Sequence, residues 1–278
     1  MLVHKENEED VPPCSAVAKR LLQLYNLYLP PFLVNFSTVT LTFCHLEKYS
    51  LYEIKVSAST RIGESENSTN EYRTNEDVPG VPSNVSCGQL AKKSLNVSWK
   101  EPLDSNGKVR LYKLTWMKLR NRNADELITF GERQSYETPN TSKADIGDNR
   151  LEPFTIYRVS VAAQTLESVG FGKEENISCS TAEDVPNDAP KLINAYHLGP
   201  YSARVTWEPL NNLNWQAASI QYVVTYQLMG DNERTTVLAK PDMLHGDLNG
   251  LNPNSTYTVT VLARNSVGDG IESNQWSL

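Results

Sequence analysis

At 278 residues the chain is too long for one small domain and suits two or three, at roughly 100–150 residues each. Its 26 Lys+Arg against 33 Asp+Glu leave a net charge of −7, which disfavours a general nucleic-acid binder with a basic face. With 21% charged and 39% hydrophobic residues the composition is that of an ordinary globular protein, and no long uncharged apolar run offers a transmembrane helix.

In chain order, Met1-Leu2-Val3-His4-Lys5-Glu6 lacks the apolar core of a signal peptide. Glu9–Pro12 is the first of three copies of Glu-Asp-Val-Pro; the others are Glu76–Pro79 and Glu183–Pro186. Proline resists pairing in a sheet and acids keep a joint solvated, so these read as linkers. Ala16 to Val34 is the greasiest segment, but Lys19, Arg20 and Pro30-Pro31 interrupt it. Leu46-x5-Tyr52-x-Ile54-x-Val56-x-Ala58 then predicts a half-buried strand, followed by a turn at Gly63.

The next stretch is fuller. Leu95-x-Val97-x-Trp99 alternates and ends on Glu101-Pro102; Tyr112-x-Leu114-x-Trp116 follows. Leu151-x-Pro153-x3-Tyr157-x-Val159-x-Val161-x-Ala163 leads to Gly170 and Gly172. The series then repeats as Ala203-x-Val205-x-Trp207, Glu208-Pro209, Tyr222-x-Val224-x-Tyr226, Leu251-x-Pro253-x3-Tyr257-x-Val259-x-Val261-x-Ala263, and Gly268 with Gly270. Short alternating strands between turn signals predict all-β antiparallel sandwiches of about 100 residues each. Nothing alternates strand with long helix, which disfavours a parallel α/β sheet. The expected boundaries are 1–79 (a partial unit, recognisable from about 38 to 75), 80–185 and 186–278.

The two tryptophan strands, the Tyr112 and Tyr222 strands and the repeated Leu-x-Pro-x3-Tyr corner together resemble fibronectin type III domains, in two full copies over 81–278. The resemblance implies that Trp99, Trp207, Leu151 and Leu251 pack between two sheets, and that Tyr157 and Tyr257 form tyrosine corners. The first unit departs from the pattern. It lacks tryptophan, and Lys48 stands where the corner proline would be. Ala16–Val34 could cover its open face as an amphipathic helix or be a splicing or gene-prediction artefact, and the artefact is favoured. At the far end the chain stops just short of where a further linker is expected, and it reads as a slice of a longer array.

Cys87 shares strand parity with Val85, and Cys179 with Ile177, on the presumed first and last strands of the middle unit. A bridge can form there if the Cα atoms approach within about 7 Å. Such domains usually lack disulfides, so buried free thiols stand as the default. Cys14 and Cys44 support no inference, and Cys14-x5-Arg20 matches a phosphatase signature only by chance, having no glycine to cradle phosphate. His4, His45, His197 and His245 are scattered without zinc spacing, so no metal, cofactor or catalytic group is expected.

Asn-x-Ser/Thr sequons stand at Asn35, Asn67, Asn84, Asn96, Asn140, Asn176 and Asn254, a mild excess over chance. Asn96 and Asn176 have outward parity and could carry glycans. Lys118, Arg120 and Arg122 share a strand face that could hold a sulfated polysaccharide, though a solvated strand discouraging edge-to-edge pairing is the favoured reading. No Arg-Gly-Asp occurs. The expectation is a non-enzymatic spacer and protein-binding region on the extracellular side of a cell-surface receptor or adhesion protein. The resemblance is to the repeats of receptor-type tyrosine phosphatases and sidekick-like adhesion receptors. The alternatives are an intracellular muscle-type array and a non-catalytic part of a receptor phosphatase.

Overall fold

Strand alternation sets the fold of the residues that the computed structural model describes: 43, 45–58, 60–124, 132–147 and 150–278. Asn35, Cys14, Cys44 and the Ala16–Val34 segment lie outside them. The described residues group into two compact units. One holds the residues up to Val81 with Pro102–Leu111 and Ala163–Lys173; the other holds Pro82–Glu101, Tyr112–Ala162 and Glu174–Leu278.

The first described element is an antiparallel hairpin, β1 (Leu51–Val56) on β2 (Ser68–Arg73). Only Tyr52 on β1 is buried, and all of β2 is exposed.

The middle module is a sandwich of two sheets. One orders β3 (Ser83–Ala91), β4 (Ser94–Lys100) and β7 (Lys143–Ile146). The other runs β6 (Arg133–Pro139), β5 (Leu111–Asn121), β8 (Thr155–Gln164) and β9 (Glu175–Ser180). Alternate residues of each strand turn inward: Leu95, Val97 and Trp99 from β4 are buried, as are Tyr112, Leu114 and Trp116 from β5. Trp99 meets Tyr112 across the two layers at 5.2 Å between ring centroids.

The last module repeats the plan with β10 (Lys191–Gly199), β11 (Ser202–Glu208) and β14 (His245–Asn249) in one sheet. Facing it, β12 (Gln221–Leu228), β13 (Thr235–Ala239), β15 (Tyr257–Arg264), β16 (Asp269–Glu272) and the short β17 (Trp276–Ser277) form the second. Trp207 packs on Tyr222 at 5.3 Å, almost the geometry of the middle module.

Three tyrosine corners recur among the described residues, one of them beside β1. The phenol oxygen of Tyr52 accepts the N–H of Glu47 (2.6 Å), that of Tyr157 accepts Glu152 (2.7 Å), and that of Tyr257 accepts Asn252 (2.9 Å). Burial pushes the Tyr157 phenol up to about 12, which keeps it protonated. Each corner turns through a left-handed residue three before the tyrosine: Tyr49 (φ 50°), Phe154 (φ 49°) and Asn254 (φ 58°). A threonine latches the first two: Thr74 and Thr181 donate their hydroxyls to the carbonyls of Glu47 and Glu152, each at 2.7 Å. The corner is local structure, held within one hairpin, and so it recurs beside β1 as it does in the two full modules.

Candidate functional site: two linker seats and an outer sheet face

Each described Glu-Asp-Val-Pro linker is held by two loops of the module that follows it. In the first seat the N–H of Asp77 donates to the carbonyl of Asn106 (2.9 Å), and the carbonyl of Asp77 accepts from Thr165 Oγ1 (2.7 Å). In the second, the N–H of Asp184 donates to the carbonyl of Gln216 (3.1 Å), and its carbonyl accepts from Asn265 Nδ2 (2.6 Å). The partners are equivalent by position. Asn106 and Gln216 stand six residues before Tyr112 and Tyr222; Thr165 and Asn265 stand eight after Tyr157 and Tyr257. Asn106 and Gln216 are both left-handed, at φ 49° and 50°.

The prolines close the seats. Pro79 and Pro186 are buried. A Cβ on Gly172 would stand 2.3 Å from the Pro79 carbonyl oxygen, and one on Gly270 would stand 2.8 Å from Pro186 Cβ. Only glycine permits that approach.

Carboxylates finish the arrangement. Lys48 Nζ pairs with Asp77 Oδ2 at 2.6 Å and holds that carboxyl below its ordinary 3.8. Lys92 Nζ pairs with Asp184 Oδ1 at 2.9 Å. Both aspartates also accept the next N–H, from Val78 and Val185. Glu76 takes a two-pronged bond from Arg110, which lowers its carboxyl from the ordinary 4.5, and Arg110 donates further to the carbonyl of Thr165 (2.6 Å). Glu183 accepts instead from Ser266 Oγ (2.6 Å) and the N–H of Ala218 (3.1 Å). At the second joint Asn123 adds bonds to the carbonyls of Asn212 and Ala217, both 2.9 Å.

Asp104-Ser105-Asn106-Gly107 and Asn211-Asn212-Leu213-Asn214 have the composition of turns. In the structure they also hold the linkers, since the carbonyl of Asp104 accepts the N–H of Gly80 (2.8 Å) and that of Asn214 accepts the N–H of Asn187 (3.1 Å). The signal in the sequence is positional, namely a repeated linker followed at fixed distances by loops before one tyrosine and after another.

The remaining expected residues fall as follows. Cys87 on edge strand β3 is bonded to Cys179 on edge strand β9, with Cα atoms 6.1 Å apart. Leu151 and Leu251 are buried beside their corners. Asn67, Asn84, Asn140, Asn176 and Asn254 are exposed, whereas Asn96 is half-buried and its Nδ2 donates to Asp145 Oδ1 (2.5 Å). The basic face corrects one expectation. β5 lies between β6 and β8, so its charges protect no free edge. Lys118 is paired with Glu152, Arg120 donates to the carbonyl of Ala124 (3.0 Å), and Arg122 lies 4.3 Å over the ring of Phe154. Among the described residues no group of three His, Cys, Asp or Glu side chains could hold a metal, and no helix is long and apolar enough to cross a membrane.

Comparison with known proteins places these modules. The chain is similar to phosphatidylinositol phosphatase PTPRQ of Rattus norvegicus (27% identical over 237 residues, 84% of this chain and 10% of that protein). It is similar also to cell adhesion molecule DSCAM of Homo sapiens (29% over 248 residues, 84% and 12%) and to protein sidekick-1 of Mus musculus (28% over 231 residues, 81% and 10%). It thus spans about a tenth of these relatives' length, and the relatives include cell-surface receptors and adhesion proteins. A solved structure, the FN1–FN3 domains of chicken CNTN1, aligns at 22% identity and TM-score 0.35 over 83% of this chain and 77% of that one. The model of the fibronectin type III domain matches residues 80–180 and 188–277, and the chain belongs to that family.

Proposed function

We propose that the chain is an extracellular spacer and protein-binding stretch of a cell-surface receptor or adhesion protein, with no catalytic role of its own. The observation that carries this reading is the duplicated linker seat. Two successive linkers are held by equivalent backbone bonds, as a spacer that presents binding loops at fixed places requires. The bond between Cys87 and Cys179 supports an oxidising compartment, where disulfides persist. The relatives named as receptors and adhesion molecules support the same setting. The protein ligand is expected on module loops or an exposed sheet face. Since Lys118, Arg120 and Arg122 are engaged within the module, a sulfated polysaccharide there is at most a weak contact.

The test is secretion of the whole chain from eukaryotic cells behind a cleavable leader, followed by thiol alkylation with and without reduction. The expected result is that Cys87 and Cys179 resist alkylation until reduced. Reactive thiols at Cys87 and Cys179 in folded protein would move the reading to an intracellular array.

A further inference from the structure

On the outer face of the β6-β5-β8-β9 sheet lies a groove of about 110 Å³, lined by Thr115, Arg133, Arg158, Ser160, Glu174 and Asn176 among others. Two hydroxyl residues form its floor: Thr115 is 3% exposed and Ser160 5%. Thr115 Oγ1 has no hydrogen-bond partner among the described residues. A buried hydroxyl in that state costs free energy until an acceptor reaches it. Arg133 is paired with Glu174, while Arg158 has no ion pair among the described residues. The groove's free groups are therefore donors awaiting acceptors. Arg133 and Glu174 cancel and Arg158 is left over, so the groove suits an acceptor-rich ligand.

Asn176 stands at the rim within the sequon Asn176-Ile177-Ser178. Ser160 Oγ donates to Asn176 Oδ1 at 2.6 Å, which fixes the carboxamide oxygen on the sheet and leaves Nδ2 as the free end. Asn176 pairs with Ser160 on β8, and β8 neighbours β5, which carries Thr115. Two strand spacings are about 10 Å, a span that a sugar on Nδ2 with an acetamido arm can bridge. Asn96 differs: its Nδ2 is already engaged by Asp145.

We propose that Asn176 carries an N-linked glycan whose first N-acetylglucosamine lies in this groove, its acetamido carbonyl accepting the Thr115 hydroxyl. The inference rests on the extracellular reading above. In the transfer, Nδ2 attacks the anomeric carbon of a lipid-diphosphate-linked oligosaccharide. The N–C bond forms, the bond from that carbon to the diphosphate oxygen breaks, and Nδ2 gives up one proton. The seated sugar then acts as part of the module's outer face rather than as a free surface antenna.

The experiment uses the whole chain secreted from eukaryotic cells, as wild type, Asn176→Gln, Thr115→Val and the double variant, with sequon occupancy read by peptide mass spectrometry. Asn176 should be occupied. Asn176→Gln should lower the Tm of the middle-module transition by several degrees, and by clearly less in the Thr115→Val background. In protein from a non-glycosylating host the shift caused by Asn176→Gln should be the same in both backgrounds. Asn176 bare while other sequons are occupied overturns the proposal alone, as does an equal shift in both glycosylated backgrounds. No glycan on any sequon overturns the extracellular reading with it.

Discussion

Thr165 and Asp77 are joined by a 2.7 Å bond from the threonine hydroxyl to the aspartate carbonyl, and the following module makes the same bond from Asn265 to Asp184. Hydroxyl and carboxamide are interchangeable here because the seat asks only for a donor of the right reach. Thr165→Val should loosen the first linker at a cost of about 1 kcal/mol, and Asn265→Leu the second at more, because Asn265 also donates to the carbonyl of Trp215 and accepts the N–H groups of Val267 and Gly268. Limited proteolysis at the two linkers checks this; each variant should sensitise only its own.

Gly270→Ala should disturb the second seat more than any hydrogen-bond deletion, because the new methyl meets Pro186 at 2.8 Å and its carbonyl oxygen at 2.9 Å. Gly88→Ala is the control, since a Cβ there meets nothing within 4 Å. Backbone amide exchange over 184–187 should rise in the first variant and stay unchanged in the second.

Within the last module, Trp207→Ala should cost about 3–5 kcal/mol, since the ring is buried against Tyr222. Tyr257→Phe should cost about 1 kcal/mol through the lost corner bond. Asn254→Ala should also cost about 1 kcal/mol, because alanine enters the left-handed region less readily, and Asn254→Gly should be close to silent. Thermal melts of unglycosylated whole chain, following the last-module transition, rank the four variants.

Cys87→Ser with Cys179→Ser removes a bond closing 92 residues of chain, and should cost the middle module about 2–5 kcal/mol. The last module, which packs Ala195 and Leu278 against its own core without such a bond, should melt unchanged. Calorimetry of oxidised and reduced chain separates the two transitions.

Acid should open the first seat. Glu76 and Asp77 have folded values depressed mainly by their bonds to Arg110 and Lys48. Their contribution is fully present above the ordinary 4.5 and 3.8, and is lost as pH falls through the lower folded values. The Asp77 amide shift in an NMR titration should move in that acid window, and Arg110→Gln should bring the movement nearer the ordinary range.

The sandwich itself was legible because strand alternation and the tryptophan and tyrosine spacings are local signals, as Val97, Trp99 and Tyr112 illustrate. The corner glycines Gly172 and Gly270 were visible as turns, yet their reason was not, since it lies in a proline about 90 residues upstream. Long-range partnership also hid the groove. Thr115, Ser160 and Asn176 sit on three different strands, and nothing in a linear pattern sets an unpartnered hydroxyl beside a sequon. Lys118 looked free because its acid, Glu152, is 34 residues away.

Because Asp77 and Asp184 are gripped by loops that come after them, each linker travels with the module on its C-terminal side. A gene rearrangement that copied a module from its first strand onward, at Ser83 or Lys191, would leave the loops gripping nothing. One that began at Glu76 or Glu183 would carry the grip on the linker backbone with it and leave behind only the bonds from Lys48, or from Lys92 and Asn123. The four-residue repeat is then the leading edge of the piece that carries its own grip.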